Sequence, residues 1–232
     1  MDETPKHIAI ILDGNRRFAQ NMALAPWKGH EFGAKKVEQL LMWGKELGLR
    51  ELTLYCFAID NFKRPTEEFT HILEIFRNEF SRLKDDERIM KEGIRIRVIG
   101  RSELFPGDIL QSIREIEEKT KNNHKYQVNL ALAYDGRTEI TDAVKRLIAD
   151  VQAGNVETSS ITEKKFAEYL YLNSDPDCII RTGGEKRISN FLLWQAGYAE
   201  LIFIDKFWPE FEKEDLKKCI DEFGRRKRRF GK

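Results

Sequence analysis

Six short apolar runs alternate along this chain with longer segments of helical periodicity, and that alternation leaves few folds open. Residues 8–12, 52–57, 94–99, 126–134, 178–181 and 201–204 are short and apolar, the character of buried strands. Between them, spacings of three and four predict helices over 30–47, from just after Pro65 to about residue 92, over 107–122, 138–153 and 163–171. A last helix is expected from near residue 212 into the basic run Arg225–Arg229. Strands alternating with helices of this length build βαβ units and a mainly parallel sheet covered on both faces. Residues 94–99 alternate apolar side chains with Arg95 and Arg97, so that strand is expected near an edge. The reading is one α/β domain spanning residues 1–232, with six strands flanked by helices.

In such sheets ligands bind beyond the carboxyl ends of the strands. Three segments that share one character are expected there: Asp13-Gly14-Asn15-Arg16-Arg17, Asp60-Asn61-Phe62-Lys63-Arg64-Pro65, and the stretch from Arg181 through Arg187 and Ile188 to Ser189. Each sets arginine beside small or amide residues. Helix N-terminal N–H groups and guanidinium forks hold phosphate, and a carboxylate beside them can hold the Mg²⁺ that phosphate brings. Each alone also reads as a polar surface turn, with Asp13 as an N-cap. Three on one sheet edge point to a site for more than one phosphate group.

Other features restrict the function. A net charge of +1 argues against a nucleic-acid binder, and no Gly-rich GxGxxG or GxxxxGK[ST] loop supports a nucleotide-binding protein. No run of 18 apolar residues could span a bilayer, and the N-terminus lacks an export pattern, so a cytoplasmic protein is expected. Cys56, Cys178 and Cys219 are too scattered for zinc or a disulfide framework and read as reduced, mostly buried thiols. Arg225–Arg229 reads as a solvated helix end, or as a patch for phosphate or a membrane surface at the cytoplasmic face.

Several segments match one family in order and over nearly the whole chain: HIAIILDGNRRFA from His7, Gly29-His30, LTLYCFAIDNFKRP from Leu52, IRIRVIG from Ile94, NLALAYDGRTEI from Asn129, IIRTGGEKRISNFLLWQAGYAEL from Ile179, WPEF from Trp208, and RRFG near the end. The chain resembles the cis-prenyltransferases, the undecaprenyl and dehydrodolichyl diphosphate synthases. DGNRRFA and the FSRL from Phe80 look like the archaeal and eukaryotic branches.

The resemblance implies a homodimer that adds isopentenyl diphosphate to an allylic diphosphate primer, farnesyl or geranylgeranyl diphosphate, each new double bond being cis. The long-chain product would be the precursor of a glycosyl carrier lipid. It implies Mg²⁺ held by Asp13 with Glu200 as a second carboxylate. Gly14, Asn15, Arg16, Arg17, Phe18 and His30 would line the allylic diphosphate site. Asn61 would accept or position a proton, among Ala58, Ile59, Asp60, Phe62 and Arg64. Arg181, Arg187, Ile188 and Ser189 would hold isopentenyl diphosphate, and Arg229 and Gly231 would form a C-terminal RxG motif reaching the neighbouring subunit. The growing chain needs a hydrophobic tunnel, for which the Phe-rich helix after Pro65 could form a wall.

Two positions depart from the family. Where an arginine is usual ahead of His30, this chain has Ala25-Pro26, and the Ser-x-Glu-Asn-Trp segment is here Ala58-Ile59-Asp60-Asn61-Phe62. A non-catalytic partner subunit of a hetero-oligomer is the competing reading, but such subunits lack the aspartate-bearing phosphate signature present at Asp13.

Overall fold

A computed structural model describes residues 4–226. Six strands, β1 (His7–Ile11), β2 (Glu51–Ala58), β3 (Ile94–Ile99), β4 (Tyr126–Tyr134), β5 (Cys178–Arg181) and β6 (Glu200–Phe203), form one sheet in the order β3-β4-β2-β1-β5-β6. Every pairing is parallel. The Arg-bearing β3 lies at an edge, as its alternation predicts.

The helices are α1 (Asn15–Asn21), α2 (Pro26–Glu46), α3 (Thr66–Asp85), α4 (Glu87–Lys91), α5 (Gly107–Thr120), α6 (Gly136–Gln152), α7 (Glu163–Ala167) and α8 (Lys213–Arg225). Period-two alternation feeds both faces of the sheet. Ile8 and Ile10 join Leu40, Leu52 and Leu54 on one side. Ala9 and Ile11 meet Ile179, Tyr134 and Phe191 on the other.

Three helix boundaries differ from expectation by four residues or more. α2 begins at Pro26 rather than residue 30, because proline is preorganised for the first helical turn and needs no N–H there. The long helix after Pro65 stops at Asp85. Asp86 leaves helical geometry with ψ 103° and caps α4, its carboxylate accepting from the Arg88 N–H at 2.9 Å. α7 ends at Ala167, four residues early. The last helix ends at Arg225 with Arg226 as its cap, and residues 227–229 of the basic run lie outside the described residues.

The sheet order decides where a ligand can sit. From β1 the chain leaves through α1 and α2 toward β2, whereas from β5 it leaves toward β6 on the opposite side. Two adjacent parallel strands whose following segments diverge leave a crevice at their carboxyl ends. Asp13 stands just past β1 and Arg181 closes β5.

Candidate active site

A cavity of about 840 Å³ opens at this crevice and runs down one face of the sheet between α2 and α3. Its mouth is lined by Asp13, Gly14, Asn15, Arg16, Arg17, His30, Ala58, Asn61 and Arg64. Its body is apolar, with Val37, Leu41, Ile72, Phe76, Phe80 and Leu132. Of the α3 phenylalanines expected to wall a tunnel, Phe76 and Phe80 face the cavity. Phe69 is absent from its lining and packs on Phe57 and Phe62.

Asp13 is held from three directions. Its carboxylate accepts from Arg181 Nη2 at 2.8 Å and from its neighbour's Gly14 N–H at 2.6 Å, and lies 3.2 Å from Arg17 Nη2. Its carbonyl accepts from the Thr182 hydroxyl at 2.7 Å and the Trp208 N–H at 2.9 Å. Arg181 is only 4% exposed; its Nη1 donates to the Ser189 hydroxyl at 2.7 Å and the Arg187 carbonyl at 2.6 Å. Its Nε is buried without a partner. Gly183 sits beneath this cluster at φ +86°, where a Cβ would come within 2.7 Å of Arg17 Nη2. With no Cβ, this loop can pack directly against Arg17 and Asp13.

A second cluster contains an acid that the sequence reading passed over. Glu68, on the first turn of α3, is 4% exposed. It accepts from Arg64 Nη1 at 2.5 Å and lies 3.3 Å from His30 Nε2 and 3.7 Å from Arg16 Nε. The His30 hydrogen bond, with the Arg64 and Arg16 charges, holds its carboxyl down to about 2. Burial, reinforced by the two arginines, pushes His30 below its ordinary value. Arg64 Nη1 also lies 2.8 Å from His30 Nε2. One nitrogen cannot both accept from Arg64 and donate to Glu68. The lowered pKa keeps the ring neutral, and which of these two contacts Nε2 makes follows from the tautomer. The signal for Glu68 was its place, an acid in the first turn of the helix that follows Arg64-Pro65.

The other expected residues divide. Asn15 lines the mouth, but its amide donates to the Leu12 carbonyl at 3.0 Å and its Oδ1 is buried under α2, so it pins the loop. The Asn61 Oδ1 accepts from the Ala58 N–H at 3.0 Å and closes the turn after β2. Phe18 lies outside the cavity lining and packs edge-on against Phe32. Ile59, Asp60 and Phe62 are outside it as well: Ile59 packs on the core, Asp60 pairs with Lys63 at 2.7 Å, and Phe62 joins Phe57, Phe69 and Phe105. Arg187 is paired with Glu185, and Ile188 packs on the opposite core, so from this loop Ser189 acts through Arg181.

Glu200 does not join Asp13 within the chain. It opens β6 opposite Cys178, three residues below Arg181, hence roughly 10 Å lower along the strands. Its carboxylate accepts from Arg226 Nη1 at 2.7 Å. Arg229 and Gly231 lie outside the described residues. In place of the arginine missing ahead of His30, Pro26 opens α2, and nearby Lys28 is paired with Glu31 at 2.9 Å.

Among the described residues no group of three acid, histidine or cysteine side chains converges as a metal cage. A carboxylate at the cavity mouth among arginines still fits Mg²⁺, which is usually held by one or two carboxylates together with substrate phosphates. Asp13 is that carboxylate.

A family model for putative undecaprenyl diphosphate synthases matches residues 11–231. The chain belongs to the undecaprenyl diphosphate synthase family. It is thus an enzyme of the prenyl diphosphate synthase class, a cis-condensing prenyltransferase. It is 47% identical over 230 residues to the tritrans,polycis-undecaprenyl-diphosphate synthase (geranylgeranyl-diphosphate specific) of Thermococcus kodakarensis, covering 98% of this chain and 87% of that one. The corresponding Methanocaldococcus jannaschii enzyme is 44% identical over 235 residues, with 100% and 84% covered. Among solved structures, lavandulyl diphosphate synthase from Lavandula x intermedia, in complex with dimethylallyl diphosphate, superposes with a TM-score of 0.94 at 31% identity over 99% of both chains. A probable undecaprenyl diphosphate synthase from Campylobacter jejuni gives 0.82 at 34%, over 100% of both. No helix among the described residues is long and apolar enough to cross a membrane.

Proposed function

We propose that this family member condenses isopentenyl diphosphate units onto an allylic diphosphate primer, with geranylgeranyl diphosphate preferred over farnesyl diphosphate, and makes a long polycis-polyprenyl diphosphate. The observation that carries this reading is the two-part cavity: a mouth of arginines around Asp13, and an apolar body between α2 and α3. Such a cavity suits a substrate with an anionic head and a hydrocarbon tail. The geranylgeranyl preference is supported by the geranylgeranyl-diphosphate specificity of the Thermococcus kodakarensis and Methanocaldococcus jannaschii relatives.

In this reading Arg16, Arg17 and Arg64 bind the allylic diphosphate and stabilise the charge that grows as its C–O bond breaks. Mg²⁺, when bound at Asp13, adds Lewis-acid stabilisation of the departing diphosphate. Arg181, fixed by Ser189 and the Arg187 carbonyl, orients Asp13 and places its positive charge behind the site of the second diphosphate. Neutral His30 can donate a hydrogen bond without adding charge. Holding both heads on one rim makes the addition effectively intramolecular, and the apolar body keeps water from the developing carbocation. The carboxamide of Asn61, locked by Ala58, is placed to position the proton that leaves. A homodimer, with the tail bearing Arg229 and Gly231 reaching a neighbour's site, belongs to the same proposal.

The test is a product assay with labelled isopentenyl diphosphate, Mg²⁺, and dimethylallyl, geranyl, farnesyl or geranylgeranyl diphosphate in turn. Polyprenyl products that vanish on chelation are expected. No product with any primer, from folded protein, would instead favour the partner-subunit reading.

A further inference from the structure

The loop that carries Ser189 is held in a conformation that its own residues resist. Ser189, Asn190 and Leu192 have φ of 48°, 63° and 47°. All three lie in the left-handed region, where a Cβ crowds the backbone and surrounding contacts must hold the residue in place. Ser189 is exposed, so burial does not fix it. Downstream, Phe191 is buried and stacks on Tyr55 with ring centroids 4.6 Å apart. Asn190, between the two, is held by a different element.

Asn190 plugs the amino end of α6. Its backbone carbonyl accepts from the Gly136 N–H at 2.8 Å, and its side-chain Oδ1 accepts from the Arg137 N–H at 3.2 Å. Its Nδ2 donates to the Asp135 carboxylate. These partners set the amide's orientation, oxygen on an N–H and nitrogen on a carboxylate. Asp135 is also the N-cap of α6, its Oδ1 accepting from the Thr138 N–H at 2.9 Å. One carboxylate thus closes the helix with one oxygen and grips Asn190 with the other. Gly136 permits the approach, since a Cβ there would come within 2.8 Å of the Asn190 carbonyl oxygen. A line of contacts then runs from α6 to the crevice. Asp135 holds Asn190, the adjoining Ser189 hydroxyl accepts from Arg181 Nη1 at 2.7 Å, and Arg181 Nη2 donates to Asp13 at 2.8 Å.

We propose that Asp135 is a positioning residue for the isopentenyl diphosphate half of the site, acting through Asn190 on Ser189 and Arg181, an inference that rests on the condensing function proposed above. Asp135 is not among the residues that line the cavity. Its clasp keeps two consecutive left-handed residues from relaxing, and so keeps the Ser189 hydroxyl against Arg181. Without the clasp Ser189 returns to the ordinary regions of backbone geometry. Arg181 Nη1 is then left with the Arg187 carbonyl at 2.6 Å, on a guanidinium whose Nε already has no partner. The allylic side of the mouth is insulated from this change. Arg16, His30, Arg64 and Glu68 are bound to one another, not to the Ser189 loop.

The experiment measures initial rates of the wild type, Asp135→Ser, Asn190→Ala and the double variant. The full chain and Mg²⁺ are used, with isopentenyl diphosphate and geranylgeranyl diphosphate varied in turn. Serine is a good N-cap but too short to reach Asn190, so α6 stays closed while the clasp opens. Asn190→Ala opens the clasp from the other side and leaves the cap untouched. Each single variant is expected to raise the KM for isopentenyl diphosphate roughly ten-fold, the scale of a lost hydrogen bond to a charged group. The KM for the primer should stay within about two-fold of wild type. The double variant should do no worse than either single one, because both break the same contact. If the wild type turns over and either single variant keeps its KM for isopentenyl diphosphate, the inference fails alone. Equal rises in both KM values would overturn it in favour of a general structural role, and additive effects in the double variant would mean two independent ones. If the wild type makes no product with any primer, the condensing function fails and the role of Asp135 with it.

Discussion

Arg181 donates to Asp13 at 2.8 Å, joining residues 168 positions apart across the carboxyl ends of two neighbouring strands. The guanidinium is buried and the carboxylate faces the cavity, so the pair is anchored on one side and available on the other. An arginine fork fixes a carboxylate in orientation as well as in charge.

Asp13→Ala removes the crevice carboxylate that fits Mg²⁺. Turnover should fall by about 10³-fold, on the order of 4 kcal/mol of barrier. The circular dichroism spectrum should stay that of the wild type. Near-native turnover would rule out a central role for this acid.

Glu68→Gln keeps the shape of the buried acid but removes the charge that Arg64, Arg16 and His30 surround. Loss of a charged hydrogen bond of this kind is typically worth about 1.5–3 kcal/mol. The KM for the allylic primer should rise by roughly ten-fold, with a smaller change in the KM for isopentenyl diphosphate. Initial-rate measurements with each substrate varied in turn separate the two; equal effects on both would mean a general structural role.

Gly29 lets α2 approach the first loop. A Cβ there would meet the Asn15 carbonyl oxygen at 1.9 Å. Gly29→Ala must push α2 from the Asp13 loop and should destabilise the fold by about 1–3 kcal/mol, the usual range for overpacking. Thermal unfolding would register this as a lower Tm, and activity should fall with it. An unchanged Tm would show that the loop yields.

Stability should rise with pH in the window just below 6.5. There the unfolded chain binds protons at His30 and His7, whereas burial keeps both rings neutral in the fold. At lower pH Glu68 acts in the same direction. Its stabilisation is complete above about 4.5 and is lost as pH falls toward about 2. Unfolding midpoints in denaturant across pH 2–8 test this, and His30→Gln should flatten part of the upper slope. A slope identical to wild type would mean that His30 binds the same protons folded and unfolded.

The chain's periodicities alone determined the six strands, their parallel sense and the edge placement of β3, because strand and helix patterning are local and repeat every two or 3.6 residues. The sequence also marked the chemistry of Asp13, Arg64 and Arg181, since an acid and arginines beside small residues after a strand suit few purposes other than binding phosphate. Only the tertiary structure decided which of these side chains meet. Strand order put β1 beside β5, and with it Asp13 beside Arg181. Burial under α2 turned Asn15 inward, and packing drew Phe18 and Phe62 away from the cavity. The distance up the strands separated Glu200 from the crevice. The break at Asp86 and the capture of Glu68 by His30 and Arg64 were hidden for the same reason. Which groups touch depends on contacts between distant segments, and no local pattern along the chain encodes them.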